Sequence, residues 1–214
     1  MNDITLNILV LAGFALIGGL IFYLARRKNA ADAQAILQLA AEKGWKVETI
    51  RGPLIWGQRL ISPHWTLESV LRASGEETGP GSSDVSMLTI WQANAPGSIL
   101  LIGERQSRAD LGAFGEMLMR QVLQQALGAD TDGLNEIQIG SDALRQKYML
   151  WAQNPSDIRI TPAIESALLG WKGQKPLIKR TSEGLSIEMR GVRVKTDSEI
   201  LQVIHLGETL LEVF

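Results

Sequence analysis

The sequence predicts an α+β protein with an N-terminal transmembrane helix, followed by a mainly antiparallel sheet packed with three or four helices. Three observations predict it. Residues 4–24 are almost wholly apolar. Short runs of alternating apolar and polar side chains recur from Trp45 to Arg190, with links mostly too short for parallel crossovers. Helical-period apolar stripes, each opened by a capping residue, stand between and after those runs. The balance of 45% hydrophobic and 21% charged residues, with a net charge of −2 over 214 residues, is that of a folded chain rather than a disordered one. The absence of cysteine excludes disulfide scaffolds and thiolate metal sites.

Four segments follow: a tail at 1–3, a membrane span at 4–24, a basic juxtamembrane segment with a helix at 25–44, and an α+β domain at 45–214. Between Ile4 and Tyr23 the only polar side chains are Thr5 and Asn7. A 21-residue helix at ~1.5 Å per residue reaches ~31 Å, about one bilayer core. Gly13, Gly18 and Gly19 weaken a helix in water but are common in membrane helices. A cleaved signal peptide is the competing reading. It is opposed by the lack of Lys or Arg in residues 1–3 and by Arg26, Arg27 and Lys28 directly after the apolar run. Positive charge stays on the cytoplasmic side, so the N-terminus is expected outside the cell membrane and the domain inside. Ala15 and Gly19, four apart, allow self-association of the span.

In the domain, residues 29–43 form an Ala-rich helix stopped by Gly44. Strands are expected at 45–50 and 54–61, parted by Gly52 and Pro53, and then at 65–72, 85–93 and 99–102. Residues 94–97 are short enough to join the last two as a hairpin. Ser107 and Asp110 open a helix with Leu111, Phe114, Leu118 and Val122 on one face, ending at Gly128. Strands near 136–139 and 148–152 flank a helical turn. Thr161 and Pro162 start a helix through Leu169 as cap and first residue. A hairpin at 177–190 turns at Ser182, Glu183 and Gly184, and its phase flips at Gly191, where a bulge is expected. Thr196 and Glu199 form a capping box for the last helix, whose stripe of Ile200, Val203, Ile204, Leu211 and Phe214 is broken by Gly207 and should dock on the sheet.

Chemistry is sparse. Setting aside Asp3 and the basic triplet, 18 of the 21 basic and 22 of the 23 acidic side chains remain, a mildly acidic domain with no clustered positive face for nucleic acid. His205 falls on the polar side of the last helix. His64, after Ser62 and Pro63, could pair with Ser82, Ser83 or Asp84, but no Gly-x-Ser-x-Gly elbow supports a hydrolase. The glycines between residues 74 and 84 lack the lysine and following helix of a phosphate loop. Asp130, Asp132, Gly133, Asn135 and Glu136 miss the calcium-loop spacing, so neither metal nor cofactor is expected. Trp45, Trp65 and Trp91 belong to strand patterns and read as core. Trp56 and Trp171, beside Gly57 and Gly170, are the candidates for a contact surface or membrane-facing edge.

The expectation is a single-pass membrane protein with a non-enzymatic interaction or scaffold domain at the cytoplasmic membrane face, its partners being the bilayer and another protein. Two alternatives stand beside it: a membrane-tethered hydrolase using His64 with a loop serine or acid, and an extracytoplasmic ligand-binding domain.

Overall fold

The computed structural model describes residues 3–73, 85–105 and 133–214, with side chains of the first helix described at Phe14 and from Ile17 onward. The expected helix at 107–128, the loop holding Ser82, Ser83 and Asp84, and Asp130 and Asp132 lie outside the described residues.

The first element is one uninterrupted helix, α1 (Asp3–Lys43), rather than a span and a separate juxtamembrane helix. No proline occurs before Gly44, and the basic triplet joining the two parts consists of good helix formers, so nothing breaks the ladder. Gly44 stops it with φ +71°, and the Trp45 N–H donates back to the Ala40 carbonyl at 2.8 Å. Among the described residues, no helix is long and apolar enough to cross a membrane.

Nine strands follow among the described residues: β1 (Lys46–Arg51), β2 (Ile55–Ile61), β3 (Trp65–Ala73), β4 (Val85–Ala93), β5 (Leu100–Glu104), β6 (Asn135–Ile137), β7 (Tyr148–Ala152), β8 (Leu177–Thr181) and β9 (Gly184–Arg190). They make one sheet in the order β1-β2-β3-β4-β9-β8-β5-β7-β6, with every neighbouring pair antiparallel. The helices α2 (Asp142–Lys147), α3 (Pro162–Leu169) and α4 (Asp197–Leu211) complete the described α+β architecture.

The hairpin expected between β4 and β5 does not form. The β8–β9 hairpin lies between them, β9 against β4 and β8 against β5. Stepping over two strands requires three spacings of ~4.8 Å, which the six residues 94–99 can cover. Inserting the hairpin buries Ile178, Leu185, Ile187 and Met189 in mid-sheet.

One sheet face carries the main core. Directly paired residues share a face, so Leu60, Leu67, Trp91 and Ile187 form one row across β2, β3, β4 and β9, each fully buried. Helix α4 lies on this row. A Cβ at Gly207 would overlap the Trp91 indole, so the glycine expected only to interrupt the stripe is where α4 admits that ring. Trp65 stacks edge-on to Trp45 with centroids 5.0 Å apart, and its indole N–H donates to Glu208 of α4 at 3.2 Å. The Thr196–Glu199 capping box is present. Burial raises the Glu199 carboxyl, but the backbone N–H groups of Lys195 and Thr196 outweigh it and hold the group below its ordinary value.

The bulge expected at Gly191 is instead a strand end. Gly191 takes φ +77° and the chain leaves the sheet to cross its face. Buried Thr89 donates to the Val192 carbonyl at 2.9 Å and accepts from the Val194 N–H at 3.3 Å, while Ser69 donates to the Val194 carbonyl at 3.0 Å. Val192 and Val194 changed phase because two buried hydroxyls supply the bonds that a continued strand would have made. Further along the sheet, Tyr148 donates from its buried hydroxyl to the Leu168 carbonyl at 3.0 Å, which ties β7 to the end of α3. Burial and the nearby Glu104 push that hydroxyl up to about 12.

Candidate functional site

The opposite sheet face is lined by cross-strand ion pairs. Arg59 of β2 lies between Glu48 of β1, at 3.6 Å, and Glu68 of β3, to which its Nε donates at 2.6 Å. Lys46 beside Glu48 holds that carboxyl below its usual range. Lys179 of β8 pairs with Glu188 of β9. These pairs, from part-buried to solvent-facing, fix side-chain directions rather than hold the sheet together.

Where this face meets the end of β4 there is a groove of about 620 Å³. Three chain segments build it: the β2–β3 turn with Ser62, Pro63 and His64, the end of β4 with Gln92 and Asn94, and the β8–β9 turn with Ser182 and Glu183. The register brings them together, because Thr66 pairs with Gln92 and Gln92 with Ser186, so both hairpin turns project past the same end of β4. A smaller recess of about 460 Å³ lies on the helix side, lined by Pro63, His64, Asn94, Leu211 and Glu212. His64 is exposed and lines both recesses.

The groove collects nucleophile types without assembling a nucleophile. Ser62 Oγ accepts the His64 backbone N–H at 3.4 Å, and the His64 imidazole hydrogen-bonds to no described residue. Ser182 and Ser186 share the groove, but no serine–imidazole–carboxylate chain links them among the described residues. A general base has to be in hydrogen-bond reach of the proton it removes. As built, the groove offers neutral and charged hydrogen-bonding groups to a ligand surface. Among the described residues, no cluster of histidine and acidic side chains could hold a metal ion. His205 is exposed on α4, as its position on the helix implied.

The two tryptophans singled out in the sequence have different surroundings. Trp171 is half-buried against the core and its indole N–H donates to the Gln174 carbonyl at 2.8 Å. Trp56 is 44% exposed at the far end of β2, paired with Arg51 and Leu71. Arg26, Arg27 and Lys28 are exposed on α1. Sequence reasoning missed the groove because its parts are 30 to 120 residues apart. The available signal was that each contributing turn is rich in Ser, Asn, Pro or Gly, which marks a loop but not which loops meet. No protein-family model matches the chain, and neither a curated protein nor a solved structure matches it.

Proposed function

We propose that this chain is a single-pass membrane protein, anchored by residues 4–24, whose α+β domain stands at the cytoplasmic face as a non-enzymatic interaction module. One observation carries the anchor. Phe14, Ile17, Leu20, Ile21, Phe22, Tyr23 and Leu24 are each more than half exposed and are distributed all the way round α1. A helix that is apolar on every side, with none of the described residues burying those side chains, is stable in hydrocarbon, where its backbone bonds are satisfied internally. The side chains of residues 3–13, 15 and 16 lie outside those described, and for them the reading rests on the sequence. Orientation follows from Arg26, Arg27 and Lys28 on the domain side of the span.

The interaction half of the proposal rests on the groove at the β2–β3 and β8–β9 turns. It is large enough for a peptide segment, offers hydrogen-bonding groups from several strands and, among the described residues, holds no assembled nucleophile–base pair. The net −4 of residues 29–214 favours a protein partner over a nucleic acid.

The absence of cysteine makes the topology test clean. Asn2→Cys and Ser156→Cys, the latter at an exposed position, are made in the full chain and treated in intact cells with a membrane-impermeant thiol reagent. The reading expects Asn2→Cys to be labelled at once and Ser156→Cys only after permeabilisation. Labelling of Ser156→Cys in intact cells would reverse the orientation and favour an extracytoplasmic ligand-binding domain. Recovery of the chain wholly in the soluble fraction would remove the anchor.

A further inference from the structure

We infer that the groove and the smaller recess beside it form one surface, and that it takes an extended segment of a protein partner bearing a Lys or Arg side chain. This rests on the interaction reading above and gives the partner its chemistry.

The two recesses are continuous. Pro63, His64 and Asn94 line both, so the surface runs from the ion-paired sheet face, past the end of β4, to the C-terminal end of α4. One guanidinium holds its parts in place. Arg180 of β8 donates to the Ala95 and Pro96 carbonyls at 3.4 and 3.2 Å and to the Phe214 carbonyl at 2.6 Å, and it lies over the Phe214 ring at 5.2 Å. A Cβ at Gly97 would overlap that guanidinium, so the link after β4 packs directly on it. The β8–β9 hairpin, the link and the end of α4 are thereby tied together, and a surface fixed before binding loses less freedom when a ligand arrives.

The floor suits a peptide backbone. Thr66, Gln92 and Ser186 form one cross-strand row on β3, β4 and β9. At strand spacings of ~4.8 Å they present a hydroxyl, a carboxamide and a second hydroxyl, each able to donate and to accept. None of these three side chains hydrogen-bonds to a described residue, whereas Glu48, Arg59 and Glu68 on the same face are occupied by one another. An extended chain brings a donor and an acceptor at every residue but proline, which matches such a row.

The charged groups at the rim set the sign of the ligand. Lys179 and Glu188 are paired with each other. Glu183 at the β8–β9 turn and Glu212 at the end of α4 are exposed and form no salt bridge among the described residues. Arg180 is committed to its three carbonyls and lines neither recess. No basic side chain stands in the last turn of α4, so the negative pole of the helix adds to Glu212. Two unpaired carboxylates and a helix C-terminus on one surface attract a cationic side chain and repel an acidic one.

The full chain, held in phosphatidylcholine nanodiscs, is used to select from a displayed library of random dodecapeptides, with empty nanodiscs removing lipid binders. The selected peptides are then titrated against the double variant Glu183→Gln/Glu212→Gln. A second double variant, Glu42→Gln/Asp142→Asn, makes the same change of net charge at exposed positions outside the groove. Circular dichroism checks that both remain folded. The expected result is a Lys or Arg shared at one position of the selected peptides, with binding weakened about tenfold by the first double variant and unchanged by the second. Selected peptides without a shared basic residue overturn the inference and leave the interaction reading standing. Equal binding by wild type and the first double variant, or equal weakening by both double variants, overturns it in the same way. Selection of no peptide above empty nanodiscs removes the interaction reading together with this one.

Discussion

The N-terminal half of α1 and the helix α4 are both rich in leucine and isoleucine, yet their apolar groups have opposite surroundings. In α4, Ile200, Val203, Ile204, Leu206 and Leu210 are buried on the tryptophan row while Leu201 and His205 face outward. In α1, the described side chains from Ile17 to Ala30 are all exposed, and burial begins only at Asp32. The difference lies in the pattern. An apolar stripe with a polar back matches one surface of a protein, whereas apolar groups on all sides match a medium. On the proposed reading, α1 carries both designs in succession, on either side of its basic triplet.

Damaging each helix's surroundings in turn separates their two roles. Trp91→Ala removes the floor under α4 and should cost ~3–5 kcal/mol, lowering the domain's Tm by on the order of 10 °C by differential scanning calorimetry. The fraction of chain in the membrane pellet should stay unchanged. Phe14→Arg does the converse. A charge near the middle of the span costs ~2.5–3.5 kcal/mol for insertion, so the membrane-associated fraction should fall while the domain's Tm holds. If either substitution moved both readouts, the two helices would not be independent in the way proposed.

Smaller changes sharpen the α4 side. Gly207→Val drives a side chain into Trp91 and should cost ~1–3 kcal/mol in denaturant unfolding, whereas the exposed His205→Ala should cost under ~0.5 kcal/mol. Thr196→Ala removes the cap and should cost ~1 kcal/mol. The smallest effect concerns Glu199, whose folded-state value is depressed below its ordinary 4.5. Its contribution is complete above that value and lost as pH falls through the folded value. Glu199→Gln should therefore flatten the pH dependence of stability below about 4.5, with its small loss of stability present in full at pH 7 and vanishing at low pH.

Much of the fold was legible because local chemistry fixed it. β4 and β7 fall on the expected residues 85–93 and 148–152, and the caps Thr161 and Thr196 begin the helices they were expected to begin. Strand order was not legible. Alternation says which side chains share a face but not which strand lies alongside, so the insertion of β8 and β9 between β4 and β5 left no local trace. Gly207 read as an interruption because a missing side chain has no hydropathy, although its role is to admit an indole. The candidate groove was half visible: His64 and Ser62 stood out, while Gln92, Asn94 and Ser182 join them only through the strand register. Trp56 and Trp171 looked alike beside their glycines, and only three-dimensional packing distinguishes the exposed ring from the docked one.

The anchor is tested most directly by alkaline carbonate extraction of membranes carrying the full chain, which strips peripheral proteins and leaves spanning helices in the bilayer. The wild-type chain should stay in the pellet, and Phe14→Arg should shift it toward the supernatant. Release of the wild-type chain into the supernatant would contradict the anchor.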